Sequence, residues 1–199
     1  MYRSAVFRRM DELRLVAVIR ATGVEDALQT AERLTAGGVK LLELTFTTPF
    51  AHAALAALTK AYKDTDVIVG AGTVLDAASA RLAILSGAQF IVSPGVIEEV
   101  VKTAHLNSVA VIPGVATATE VIKALELGVD YVKLFPASAE ALTALKGPFP
   151  NVKFMLTGGV TENNAALLLS KGASALGAGS NLTAEGADIR KWVTLTSKN

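Results

Sequence analysis

The run Asp130-Tyr131-Val132-Lys133-Leu134-Phe135-Pro136 sets one lysine inside an otherwise apolar, strand-length stretch. Its length and its Tyr, Val and Phe content favour a short buried strand. Alternation then puts Tyr131, Lys133 and Phe135 on one side and Val132 and Leu134 on the other. If the lysine side is an enclosed, partly apolar interior, desolvation disfavours the charged form and leaves more free amine. A free amine in a pocket is a nucleophile.

Outward from this stretch, the same pair of elements recurs along the chain. Apolar strand-like runs stand at 15–20, 41–46, 67–73, 90–94, 109–113, 130–136, 152–157 and 173–178. Between them, apolar residues at helical spacing predict helices at 24–36, 50–61, 77–86, 97–105, 119–127, 139–145 and 163–171, with a last helix ending near Thr196. Gly37-Gly38, Gly87, Gly128 and Gly172 supply stop signals. The first ten residues read as an amphipathic helix; their arginines are followed by no apolar core segment, so they do not read as a secretory signal.

Eight strand–helix units in 199 residues come to roughly 25 residues each, which suits a parallel (β/α)8 TIM barrel with tight loops and an N-terminal capping helix. A doubly wound open sheet would give the same alternation. The count favours the barrel, as does a polar or glycine residue at the end of nearly every strand. One domain over residues 1–199 is expected, because a chain that is 51% hydrophobic can bury a sizeable core at this length.

The net charge of +1, with both signs scattered, gives no electrostatic footprint for nucleic acid or an anionic membrane. The absence of cysteine excludes disulfides, iron–sulfur clusters and thiolate zinc sites, and fits a reducing cytoplasm. No apolar run approaches the roughly 20 residues a membrane span needs.

If the strands are parallel, their C-terminal ends meet at one mouth lined by Arg20, Glu43 with Thr45 and Thr47, Thr73, Ser93-Pro94, Pro113, Lys133 with Phe135, Thr157-Gly158-Gly159 and Gly179-Ser180. Glu43 points inward by the same alternation, since Leu42 and Leu44 form the helix-facing pair. A buried lysine and glutamate could be a structural ion pair. Their place near the mouth favours chemistry.

Two glycine-bearing turns after adjacent strands fit a phosphate cradle built from backbone N–H groups, whereas either alone would read as an ordinary turn. Gly70-Ala71-Gly72 lacks the third glycine of a dinucleotide fingerprint. His52 and His105 fall on helices away from the strand ends, so no metal site is expected.

With Val16-Ala17-Val18-Ile19-Arg20, Glu43-Leu44-Thr45, Gly70-Ala71-Gly72-Thr73-Val74-Leu75, Ile91-Val92-Ser93-Pro94-Gly95, Ile112-Pro113-Gly114, Lys133-Leu134-Phe135-Pro136, Gly147-Pro148-Phe149-Pro150-Asn151-Val152 and Thr157-Gly158-Gly159, the chain resembles, over nearly its whole length, the bacterial 2-keto-3-deoxy-6-phosphogluconate (KDPG) aldolases and their 6-phosphogalactonate and 4-hydroxy-2-oxoglutarate relatives. The resemblance implies a homotrimeric, metal-independent, cofactor-free class I aldolase of the Entner-Doudoroff pathway. It would cleave the phosphorylated keto acid to pyruvate and glyceraldehyde 3-phosphate, and extend to cleavage of 4-hydroxy-2-oxoglutarate to pyruvate and glyoxylate. The galactonate-type substrate is the alternative. A phosphate-binding isomerase, epimerase or synthase barrel, and a non-catalytic interaction barrel, are more distant ones.

The same resemblance implies roles residue by residue. Lys133 would form the Schiff base and Glu43 shuttle the protons. Thr73 and Pro94 would contact the pyruvate moiety and Phe135 pack over it. Thr157 would meet a substrate hydroxyl, and Gly158, Gly159, Gly179 and Ser180 the phosphate. Thr47 stands where many members of the family carry an arginine for the substrate carboxylate, so Arg20 is expected to supply that contact. Leu156 stands where proline is common.

Overall fold

The computed structural model describes residues 3–197. Among them run the strands β1 (Leu15–Ile19), β2 (Leu41–Thr45), β3 (Ile68–Gly72), β4 (Phe90–Val92), β5 (Ala110–Ile112), β6 (Gly114–Val115), β7 (Tyr131–Leu134), β8 (Lys153–Thr157) and β9 (Ala175–Ala178). The helices are α1 (Arg3–Leu13), α2 (Val24–Ala36), α3 (Ala51–Ala61), α4 (Ala77–Leu85), α5 (Glu98–Leu106), α6 (Ala118–Glu126), α7 (Ala139–Lys146), α8 (Glu162–Ser170), α9 (Ser180–Thr183) and α10 (Ile189–Thr196). None is long and apolar enough to cross a membrane.

Every strand pair is parallel, and the sheet order is β5-β4-β3-β2-β1-β9-β8-β7-β6. The two ends of that order, β5 and β6, flank the single residue Pro113, so the sheet closes on itself. That closure separates the barrel from the doubly wound sheet. The expected fifth strand, 109–113, ends at Ile112, and a short β6 that the sequence reading did not give follows Pro113: proline has no N–H to give to the ladder. Its carbonyl still takes part, accepting from the Lys133 N–H at 2.8 Å.

Alternation divides the strand residues into two shells. Leu42, Leu44, Val132, Leu134, Phe154 and Leu156 face outward into the helix layer. Val16, Leu41, Ile68, Phe90, Tyr131 and Met155 face inward and form a separate core closed from below by Val6 and Met10 of α1. Phe7 stacks on Tyr131 at 5.4 Å. The first helix is therefore a plug, as its amphipathic pattern suggested; Met1 and Tyr2 lie outside the described residues. Because apolar side chains fill the lower barrel, the polar inward residues collect at the upper end. Helix starts are well specified, as at α6, where Thr117 and Glu120 form a reciprocal capping box.

Candidate active site

Lys133 sits on β7 between Gly114 of β6 and Met155 of β8, facing inward, and is 7% exposed. Its Nζ lies 5.3 Å from the centre of the Phe135 ring. It joins none of the ion pairs formed among the described residues.

Glu43 sits on β2 between Val18 and Gly70 and is fully buried. No protein group among the described residues hydrogen-bonds either carboxylate oxygen. Space for this side chain comes from β3: a Cβ at residue 72 would stand 2.0 Å from Glu43 Oε1, so only glycine fits there.

Burial pushes the Glu43 carboxyl above the ordinary carboxylate range, while the positive charges of Lys133 and Arg20 pull it back down. Glu43 thus feels the Lys133 charge without the two forming a contact ion pair among the described residues. A carboxyl so placed, with free lone pairs and a raised proton affinity, is suited to both accept and return a proton.

Above them opens a cleft of about 110 Å3 lined by Val18, Arg20, Lys133, Phe135, Thr157, Gly158, Gly159, Val160, Gly177, Gly179, Ser180 and Asn181. A larger groove of about 660 Å3 lies outside the barrel, along Thr59, Tyr62, Lys63 and Gln89, but carries neither inward charge. The smaller cleft is the candidate site.

Gly158 and Gly159 both take positive φ, 85° and 84°, a conformation that side-chain-bearing residues rarely adopt. This turn bends the chain from β8 to α8 and lays bare backbone along the cleft. Thr157 turns its hydroxyl inward; it is 7% exposed and has no protein hydrogen-bond partner among the described residues. Arg20 directly follows β1 and lies against the other turn, where a Cβ at residue 179 would stand 3.4 Å from its Nη1.

The structure thus brings Arg20, Lys133, Phe135, Thr157, Gly158, Gly159, Gly179 and Ser180 to one cleft. Glu43 lies below it, fully enclosed. Thr73 and Pro94 are not among its lining residues: Thr73 follows β3 with a left-handed φ of 56°, and Pro94 is exposed after β4. Thr47 is exposed, with its hydroxyl 2.9 Å from that of Thr45. Sequence reasoning missed Gly72, Gly177 and Asn181. The parity of their strands marked the two glycines as inward, and Asn181 directly follows Ser180.

A family model described as KDPG and KHG aldolase matches residues 6–194. A "2-dehydro-3-deoxy-phosphogluconate aldolase" of Treponema pallidum (strain Nichols) is 41% identical over 165 residues, covering 81% of this chain and 78% of that protein. A "KHG/KDPG aldolase" of Escherichia coli (strain K12) is 39% identical, covering 75% and 71% respectively. Among solved structures, a KDPG aldolase from Legionella pneumophila, with pyruvate captured as a covalent carbinolamine intermediate, superposes with a TM-score of 0.84. It is 34% identical over 100% of this chain and 99% of its own. The chain belongs to the KDPG and KHG aldolase family and is a carbon–carbon lyase.

Proposed function

We propose that this protein is a class I aldolase that cleaves 2-keto-3-deoxy-6-phosphogluconate to pyruvate and glyceraldehyde 3-phosphate through a Schiff base on Lys133. The observation that carries this reading is the pair of inward charges at the upper end of an otherwise apolar barrel, Lys133 opening into the cleft and Glu43 enclosed beside it. The covalent pyruvate adduct described for the Legionella relative supports the same chemistry.

The neutral Lys133 amine adds to the C2 keto carbon, and the carbinolamine loses water to give an iminium. As the C4 hydroxyl gives up its proton, the C3–C4 bond breaks and its electrons pass to the iminium, leaving an enamine and the free aldehyde. Protonation at C3 and hydrolysis then release pyruvate and restore the amine. Glu43 moves the protons, directly or through water. Its burial keeps the carboxyl protonated at higher pH than usual, which suits the acid half of that role.

At the far end of the cleft, the Gly158-Gly159 and Gly179-Ser180 turns cradle the phosphate with backbone N–H groups. Thr157 meets a hydroxyl of the sugar acid, Phe135 covers the pyruvate carbons, and Thr73 and Pro94 flank them from the rim. Arg20 supplies the positive charge that Thr47 cannot. It serves the substrate carboxylate on the Glu43 side.

Thr157 favours the gluconate-type over the galactonate-type substrate, with 4-hydroxy-2-oxoglutarate as a secondary substrate. We also propose a homotrimer, which light scattering would test; apolar side chains exposed on neighbouring helices, Leu82, Leu85 and Leu106 among them, support self-association.

Borohydride reduction in the presence of pyruvate tests the central step. A covalent pyruvyl adduct on Lys133, absent from a folded Lys133→Met variant that no longer cleaves substrate, is the expected outcome. A wild-type protein that gains no adduct would end this reading.

A further inference from the structure

We propose that Arg33, a side chain outside the cleft, is a positioning residue that holds the phosphate turn in place and so sets the enzyme's preference for phosphorylated over unphosphorylated substrate. The inference rests on the phosphate cradle described above and adds to it a residue that touches no substrate.

The turn in question is α9. It is four residues long, and Leu182 is its buried anchor. Its own hydrogen bonds are few, chiefly Leu182 and Thr183 N–H to Gly179 O at 2.8 and 3.0 Å and Ala184 N–H to Ser180 O at 3.0 Å. A helix of this length has almost no stability of its own, because nucleation costs more than one turn returns. Ser180 and Asn181 are exposed, and the chain beyond, through Ala187, is irregular. Something else must keep Gly179-Ser180 facing Gly158-Gly159.

Arg33, in the last turn of α2, does so from 150 residues away. Its Nη2 donates to Thr183 O at 2.5 Å and its Nη1 to Ala184 O at 2.9 Å. The planar guanidinium matches two consecutive carbonyls in one orientation, and a cation there also suits the negative end of the turn. Arg33 forms no ion pair among the described residues, and it does not line the cleft.

A second tie completes the clamp. Asn181 Nδ2 donates to Val160 O at 2.9 Å, joining α9 to the opposite glycine turn. That turn is fixed to α8 by Asn164, whose Nδ2 donates to Gly159 O at 2.9 Å and whose Oδ1 accepts from Thr161 N–H at 2.8 Å. One chain of hydrogen bonds therefore runs from α2 through both halves of the cradle to α8.

The test compares Arg33→Met with wild type on 2-keto-3-deoxy-6-phosphogluconate and on its unphosphorylated counterpart, 2-keto-3-deoxygluconate, with pyruvate trapping by borohydride and Tm followed alongside. Because a modest misplacement of binding groups costs binding before chemistry, KM for the phosphorylated substrate is expected to rise on the order of ten-fold, with kcat held within about two-fold. Constants for the unphosphorylated substrate and the trapping rate should stay at wild-type values. Arg33→Lys, which offers a point donor in place of a fork, should recover part of the loss, and Asn181→Ala should raise the same KM.

Equal losses on both substrates, or an unchanged ratio between them, overturn the proposal. If Arg33→Met does not fold, the same ratio in Arg33→Lys and Asn181→Ala decides. A wild-type enzyme with no preference for the phosphorylated substrate would instead overturn the phosphate reading, and this proposal with it.

Discussion

Replacing Gly72 by alanine would test the placement of Glu43 without changing any ionisable group. The added Cβ would stand 2.0 Å from Glu43 Oε1 and 2.6 and 2.7 Å from Cδ and Cγ, where real contacts essentially never fall below 3.0 Å. The carboxylate, or the strand behind it, must therefore retreat by at least about 1 Å. Glu43 is fully enclosed, so the retreat presses on packed neighbours, and overpacking of this kind costs roughly 1–3 kcal/mol. For a chain of this size that corresponds to a fall in Tm of about 2–4 °C for each kcal/mol.

A displacement near 1 Å of a catalytic group costs on the order of 10²-fold in rate. Lys133 stands on a different strand, β7, so adduct formation with pyruvate should survive, more slowly. A coupled assay of pyruvate release, run with borohydride trapping and thermal melts, reads all three quantities. Full cleavage activity in a folded Gly72→Ala protein would refute the argument that Glu43 must occupy this gap to move protons.

Glu43→Gln keeps the shape and removes the proton exchange, so cleavage should fall by roughly 10²- to 10⁴-fold with the fold retained; a wild-type rate would assign the proton transfer elsewhere. The same pair of proteins has a distinct stability profile. Since burial raises the Glu43 carboxyl, the stability it contributes is fully present below its ordinary value of 4.5 and is lost as pH rises through its folded value. Melts of wild type should therefore decline across that window where those of Glu43→Gln do not, and parallel curves would contradict the buried carboxyl. Met10→Ala empties the plug of the lower barrel and should cost about 2–5 kcal/mol in chemical denaturation without changing KM. Because the iminium is the electron sink, and no three His, Asp or Glu residues gather as a metal site among those described, dialysis against a chelator should leave the cleavage rate unchanged.

Much of the site could be read before any coordinates, because strand alternation is a local property. A period of two placed Lys133 and Glu43 on the inner face, and the outward set Leu42, Leu44, Val132 and Leu134 confirmed that parity. The glycine turns at 158–159 and 179–180 were legible because glycine next to a strand end marks special backbone. The fifth run was read as ending at Pro113, since proline cannot donate to a ladder, but the two-residue β6 beyond it is too short to show a period and was missed.

Other features were not local. Gly70-Ala71-Gly72 could be weighed from the sequence only as a fragment of a nucleotide motif, and found wanting. Its use emerges only where β3 lies beside β2 and residue 72 meets the Glu43 carboxylate. The position of Arg20 against Gly179 depends on β1 pairing with β9, the first and last strands of the barrel.

The sequence alone thus determined the alternation of strands and helices, the inward sense of Lys133 and Glu43 and the types of chemistry at the strand ends, because hydrophobic periodicity acts over a few residues. Barrel closure across Pro113, the gap that admits Glu43, and the reach of Arg33 to α9 were decided by tertiary structure, because each depends on which distant segments share a surface.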